Sequence, residues 1–332
     1  MTPAQTVLPR WRGFNLLDFF TVRSNGDVAE DDFRWIAEWG FDFVRLPMCY
    51  TLWIEDGNPH RFHEPMLEKV DRAVELGRQY GLHVCLNFHR APGYSVNPER
   101  REPYDLWKDP EALHDFCFHW RMFASRYAGV PSTELSFNLV NEPANPDPAQ
   151  MTREDHARVM RAAVEAIRAV DPERLVILDG VNWGNTPCPE LADLGVAQSC
   201  RAYWPMGVSH YRASWVNGET YPPPVWPGGW HYGQAWDREA LERHYDGWAA
   251  LAARGVGVHC GEGGAFNCTP HGVVLRWLRD VLEALQARGI GWALWNFRGG
   301  FGILDSERAD VAYEDWRGHR LDRQMLELLR SH

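Results

Sequence analysis

Two carboxylate residues stand 120 positions apart, and each follows a short apolar run. Glu142 lies in Asn141-Glu142-Pro143, directly after the run from Leu135 to Val140. Glu262 follows the run from Gly255 to Gly261. Two carboxyl groups at the tips of separate strands can cleave a sugar acetal. One protonates the departing oxygen, and the other attacks the anomeric carbon or activates water. Attack by the enzyme requires the carboxyls to stand about 5–5.5 Å apart, and attack by water about 6.5–9.5 Å. Asn-Glu-Pro alone is a common loop tripeptide, because Asn and Pro both favour turns. Its chemistry depends on where the chain places it.

The elements around these residues alternate. Helical spacing of apolar residues is read over 30–39, 65–80, 110–127, 153–170, 237–254, 273–288 and 321–330. Short apolar runs between them read as strands near 13–16, 40–47, 82–88, 135–140, 175–178, 207–210, 256–260 and 290–295. Alternation of this kind implies a parallel sheet. Eight units in 332 residues predict a closed α/β barrel, the (β/α)8 TIM barrel, formed by residues 1–332 as one domain. An open doubly wound sheet is disfavoured, because no Gly-x-Gly-x-x-Gly follows the first strand.

Catalytic barrels carry their polar groups at the C-terminal ends of the strands. Here Arg45 ends the second strand and Asn87-Phe-His89 the third. Asn138, Asn141 and Glu142 end the fourth, His210 and Tyr211 the sixth, Glu262 the seventh, and Trp295-Asn296 the eighth. His83 and His259 fall inside strands and read as barrel-interior residues. Two long connections, 90–109 and 211–236, leave from the same face. The second is rich in Trp (Trp215, Trp226, Trp230, Trp236; Trp204 lies just before it) and reads equally as a wall of sugar subsites or as a self-packed loop. Arg90, Arg100, Arg101 and Arg298 are expected on site-side loops, paired with Glu99, Glu102 and Asp105.

The set Arg12-Gly-Phe-Asn15, Val44-Arg45-Leu-Pro47, Asn87-Phe-His89, Asn141-Glu142-Pro143, His210-Tyr211, Gly261-Glu262 and Trp295 resembles glycoside hydrolase family 5, a family of retaining barrel glycosidases with many cellulases and β-mannanases. The resemblance covers nearly the whole chain. It implies that Glu142 is the general acid and then base, and that Glu262 is the nucleophile, held ionised by Arg45. It further implies that Tyr211 orients Glu262 and that Asn141 binds the sugar 2-hydroxyl. His89 and His210 would contact hydroxyls or position the acid, and Trp295 would be the stacking floor. The substrate implied is a β-linked glucan or gluco-oligosaccharide, cleaved by double displacement. A β-mannan or β-mannoside is the alternative within the family, and a non-catalytic carbohydrate-binding barrel the alternative outside it.

The bulk composition narrows the partners. A net charge of -11 argues against nucleic acid as a partner, because phosphate neutralisation needs a basic face. Seventeen Trp suit a sugar-binding surface as well as a large core. The seven Cys include no Cys-x-x-Cys pair, and His-x-His is absent near the first strand, so neither a cofactor nor a catalytic metal is expected. No apolar stretch approaches the roughly 18 residues of a membrane span. The first ten residues have no apolar signal core, which leads to a cytoplasmic expectation. A secreted chain freed of its leader would begin the same way. No protein partner is indicated.

Overall fold

A computed structural model describes residues 6–97 and 102–332. Eight strands run in parallel: β1 (Arg12–Asn15), β2 (Phe43–Cys49), β3 (His83–Ala91), β4 (Leu135–Asn138), β5 (Leu175–Asp179), β6 (Ala197–Ala202), β7 (Val258–Gly263) and β8 (Gly291–Leu294). Each pairs with its sequence neighbours, as in Gly13 with Phe43, Phe43 with His83 and Val84 with Leu135. The pairing of Arg12 with Trp292 joins β1 to β8 and closes the ring. The expected barrel is therefore the observed fold.

The helices begin and end where local chemistry dictates. They are α1 (Glu30–Glu38), α2 (Glu64–Tyr80), α3 (Pro110–Arg126), α4 (Arg153–Arg168), α5 (Arg238–His244), α6 (Asp246–Ala252), α7 (His271–Ala287) and α8 (Arg323–Arg330). Glu30, Asp31 and Asp32 place negative charge on the first turn of α1, where the helix dipole favours it. Thr152 and Asp155 form a reciprocal capping box at the start of α4. Gly81 closes α2 in the left-handed conformation, φ 69°. The helix expected over 237–254 is broken at Tyr245 into α5 and α6, and between β5 and β6 a 3-10 turn, Pro189–Leu194, replaces a full helix.

The sixth strand differs from the sequence reading. It is Ala197–Ala202, and Met206–Ser209 forms one short helical turn after it. Strand side chains alternate between faces. In β6 the inward row is Ala197, Ser199 and Arg201, so the polar residues that line the site break up the apolar run. Outward, Gln198 exchanges two hydrogen bonds with the main chain of Cys188, at 2.9 and 2.7 Å.

The lower barrel interior is filled by Trp11, Phe43, Cys85, Ile177, Ala197 and Ala293. His83 stacks on Trp11, ring centroids 3.8 Å apart, and His259 packs against Phe43 at 4.5 Å. Burial pushes both imidazoles down, to about 4 and about 3 respectively, so they serve as neutral filling. The two histidines thus sit in the barrel interior, beneath the polar layer. Among the described residues, no helix is long and apolar enough to cross a membrane.

Candidate active site

Glu262 faces the barrel axis because β7 carries a bulge. Cys260 pairs with Cys200, and Glu262 with Arg201, so Gly261 is one extra residue. His259 points inward and Cys260 outward; regular alternation would send residue 262 outward as well. The extra residue reverses the phase and turns Glu262 into the barrel. A side chain at Gly261 would come within 2.6 Å of Ser199 Oγ, so the bulge needs glycine. Asn15 Nδ2 donates to the Gly261 carbonyl at 3.0 Å and helps fix it.

Glu142 is aimed by a backbone that non-glycine residues seldom adopt, with φ of 49°. Such a conformation costs about 1–3 kcal/mol and persists where neighbours hold it. Here the Glu142 N–H donates to Asp179 Oδ2 at 2.9 Å, and the Tyr94 hydroxyl donates to the Glu142 carbonyl at 2.7 Å.

Two buried arginines organise the carboxylates. Arg45 Nη1 donates to Glu262 Oε1 at 2.6 Å and Nη2 to Asn141 Oδ1 at 2.8 Å. Its Nε donates to Asn138 at 3.0 Å. Arg201 Nε donates to Glu142 Oε1 at 2.9 Å, and Nη2 to Asn141 Oδ1 at 3.0 Å. That same Nη2 stands 3.4 Å from Glu262 Oε1 and is hydrogen-bonded to Asp179. No sequence motif marks Arg201 or Asp179 as site residues. Asp179 ends a short apolar strand, and Arg201 lies in a strand, Ala197–Ala202, that has no apolar run to mark it.

The layer therefore holds three carboxyl groups, Glu142, Glu262 and Asp179, against two guanidinium groups, Arg45 and Arg201. Charge balance leaves room for one proton on the carboxyls. Burial first, and then the negative charge of Glu262, push Glu142 up to about 8, so that proton resides on Glu142 at neutral pH. Glu262 is held by donors on both oxygens, Arg45 on Oε1 and a tyrosine on Oε2.

That tyrosine is Tyr203, whose hydroxyl donates to Glu262 Oε2 at 3.0 Å. The sequence reading assigned this contact to Tyr211. β6 ends at Ala202, earlier in the chain than the apolar run at 207–210 suggests, and Tyr203 is the residue just beyond that end. Tyr211 instead lies beside Arg212, with the guanidinium carbon 5.2 Å from its ring centre.

The other expected residues gather around the pair. Asn141 is fully buried, with Oδ1 used twice and Nδ2 left without a protein partner. His89 stacks on Trp295, centroids 5.6 Å apart, and its Nδ1 also has no partner. His210 arrives from the helical turn, bonds Ser209 Oγ at 2.8 Å and meets the edge of Tyr203 at 5.0 Å. Burial drives both histidines down, His210 to about 3, so they act as neutral hydrogen-bonding groups. Trp295 is half-buried and flanked by Phe20 at 5.3 Å, an aromatic face at the site floor.

The Trp-rich loop is mostly packed on itself. Trp204 lies against Trp236 at 5.5 Å, Trp230 against Tyr221 at 4.8 Å, and Trp226 is buried with its N–H on Asp280 at 2.8 Å. Trp215 is the exception, 54% exposed and 6.0 Å from His210. After β5, Trp183 is also exposed, in a left-handed segment with Asn182. Its N–H donates to the Pro143 carbonyl at 2.9 Å. Of the loop arginines, Arg90 pairs with Glu102 as expected, whereas Arg298 pairs with Asp32, its Nε 2.9 Å from Oδ1. Glu99, Arg100 and Arg101 lie outside the described residues.

Known proteins are similar to this chain in sequence and in fold. The family model described as Cellulase (glycosyl hydrolase family 5) matches residues 3–300. Endoglucanase C of Acetivibrio thermocellus is 28% identical over 316 residues, spanning 86% of this chain and 89% of its own length. Cellodextrinase A of Ruminococcus flavefaciens is 27% identical over 286 residues, 82% and 79% of the two chains. A solved structure described as a glycoside hydrolase superposes with a TM-score of 0.93 at 39% identity, covering 97% of this chain and 99% of its own. Thermotoga maritima Cel5A, solved with mannotriose, shares the fold at a TM-score of 0.76 and 23% identity, over 96% and 97% of the chains.

Proposed function

The chain belongs to the cellulase family, glycosyl hydrolase family 5, and is an O-glycosyl hydrolase; on that premise we propose that it cleaves β-linked glucans or gluco-oligosaccharides with retention of configuration. The observation that carries this reading is the layer of three carboxyls and two guanidiniums, in which Arg201 reaches both Glu142 Oε1, at 2.9 Å, and Glu262 Oε1, at 3.4 Å.

In the first step Glu262 attacks the anomeric carbon as the glycosidic C–O bond breaks, and the Glu142 proton passes to the departing oxygen. Arg201 Nε, 2.9 Å from Glu142, steadies the carboxylate left behind. Glu262 is now an uncharged ester, so the repulsion that raised Glu142 disappears and Glu142 can remain ionised as a base. Charge stays balanced: Glu142 and Asp179 are negative, and Arg45 and Arg201 positive. In the second step Glu142 takes a proton from water, which attacks the anomeric carbon and releases Glu262. Asn141 Nδ2 donates to the sugar 2-hydroxyl, a contact that tightens in the transition state. Trp295 supports the ring being cleaved.

The preference for glucose rests on the relatives named for glucan cleavage, Endoglucanase C and Cellodextrinase A. The mannose reading rests on the mannotriose complex of a protein that shares the fold. A panel of aryl β-glucosides, cellobiosides and mannosides tests the choice. Turnover of cellobiosides at least tenfold above mannosides supports the glucan reading, and the reverse order overturns it.

A further inference from the structure

We propose that a divalent metal ion, zinc by the chemistry of its ligands, binds at His60, His114 and Asp115, on the barrel's flank and apart from the catalytic layer. His60 lies on a hairpin that follows β2 (Ile54–Glu55 and Asn58–Phe62), and the other two lie on α3. The hairpin rests on the helix through Phe62 and Phe118, stacked at 5.5 Å, and through His60 and Phe118 at 4.7 Å. Packing therefore holds the hairpin against the helix, and with it the backbones that carry the three side chains, before any ion arrives.

Their spacing suits zinc. His60 Nε2 is 3.1 Å and His114 Nδ1 3.4 Å from the same oxygen, Asp115 Oδ1, and the three ligand atoms lie within 4.8 Å of one another. Ligands about 2.0–2.1 Å from a tetrahedral zinc stand about 3.3–3.4 Å apart, which the two His–Asp edges already approach. The imidazole–imidazole edge closes by rotation of two exposed side chains. Two imidazoles and one carboxylate are a borderline-soft donor set, with the fourth position left to water.

The carboxylate's surroundings supply a second observation. The Asp115 side chain is only 2% exposed, and among the described residues neither Lys nor Arg lies within ion-pair distance. Tyr104 occupies Oδ2 at 2.8 Å, so Oδ1 faces the two histidines alone. A buried carboxylate needs a compensating positive charge, and a dication held with neutral imidazoles supplies one. Through Tyr104 the ion also ties α3 and the hairpin to the connection after β3. Its role there is that of a staple between two site-side loops.

The test uses the full chain, stripped with chelator and titrated with zinc chloride by calorimetry, with melting followed in parallel. One zinc per chain and a raised melting midpoint are expected. His60→Ala and His114→Ala should each weaken binding at least about tenfold. His60 also packs on Phe118 and both histidines contact Asp115, so melting is read as the shift that zinc produces in each protein: a rise in the stripped wild type and none in the variants. The proposal fails if the wild type takes up no more zinc than the double variant, or if the single variants bind as tightly as wild type.

Discussion

Arg201 Nε donates to Glu142 Oε1 at 2.9 Å, from a side chain with no solvent exposure. The same guanidinium reaches Asp179 and stands near Glu262, so one residue couples the proton donor to the rest of the layer. Replacing it with Met leaves three carboxyls facing one guanidinium. Glu142 should then titrate at higher pH, and the alkaline limb of kcat/KM should move upward while kcat falls at least about a hundredfold. A pH–rate profile of Arg201→Met measures both. Removing one partner of a buried ion pair costs about 3–5 kcal/mol, so the variant should also melt earlier.

Glu142 carries a stability signature as well as a kinetic one. Its folded proton affinity is raised from 4.5 to about 8, so the native state holds the proton more tightly than the unfolded chain. Its contribution is therefore favourable below pH 4.5 and is lost as pH rises toward about 8. Glu142→Gln removes that loss. The variant should gain stability relative to wild type between pH 5 and pH 8, as read by urea unfolding at the two pH values, while its activity on unactivated glucans collapses.

The tyrosine on Glu262 is identified by contrast. Tyr203→Phe removes the 3.0 Å hydrogen bond to Oε2 and should lower kcat about tenfold to a hundredfold with little change in melting. Tyr211→Phe should stay within about twofold of wild type. Steady-state kinetics on one aryl cellobioside compares the two.

Gly184 tests how tightly Arg201 is held. It has φ of 75°, and a methyl group there would come within 2.6 Å of Arg201 Cγ. Gly184→Ala should displace the guanidinium and reduce kcat at least about tenfold, although residue 184 touches neither catalytic carboxyl. Far-ultraviolet circular dichroism alongside the kinetics shows whether the fold is kept.

The barrel and most of the polar ring were legible in the sequence because the information is local. Runs such as Leu135–Val140 end in Asn141-Glu142, and helices α1 to α4 carry their own start signals. Three features were not legible, for physical reasons. The inward row of β6 is Ala197, Ser199 and Arg201, so the strand that supplies a key arginine lacks an apolar pattern. A strand read at 207–210 points to Tyr211 as the orienting tyrosine, whereas the strand at Ala197–Ala202 presents Tyr203. The bulge at Gly261 is a single residue whose effect on Glu262 shows only against the register of β6. The Trp-rich loop divides between packing and exposure according to tertiary contacts that composition does not encode.

The retaining pair is tested most directly by the configuration of the first product. Proton NMR during early hydrolysis of an aryl β-cellobioside reports the anomer before it mutarotates. Attack by Glu262 followed by water activated by Glu142 predicts that β-cellobiose appears first. Initial release of α-cellobiose would contradict it and require water to displace the leaving group directly.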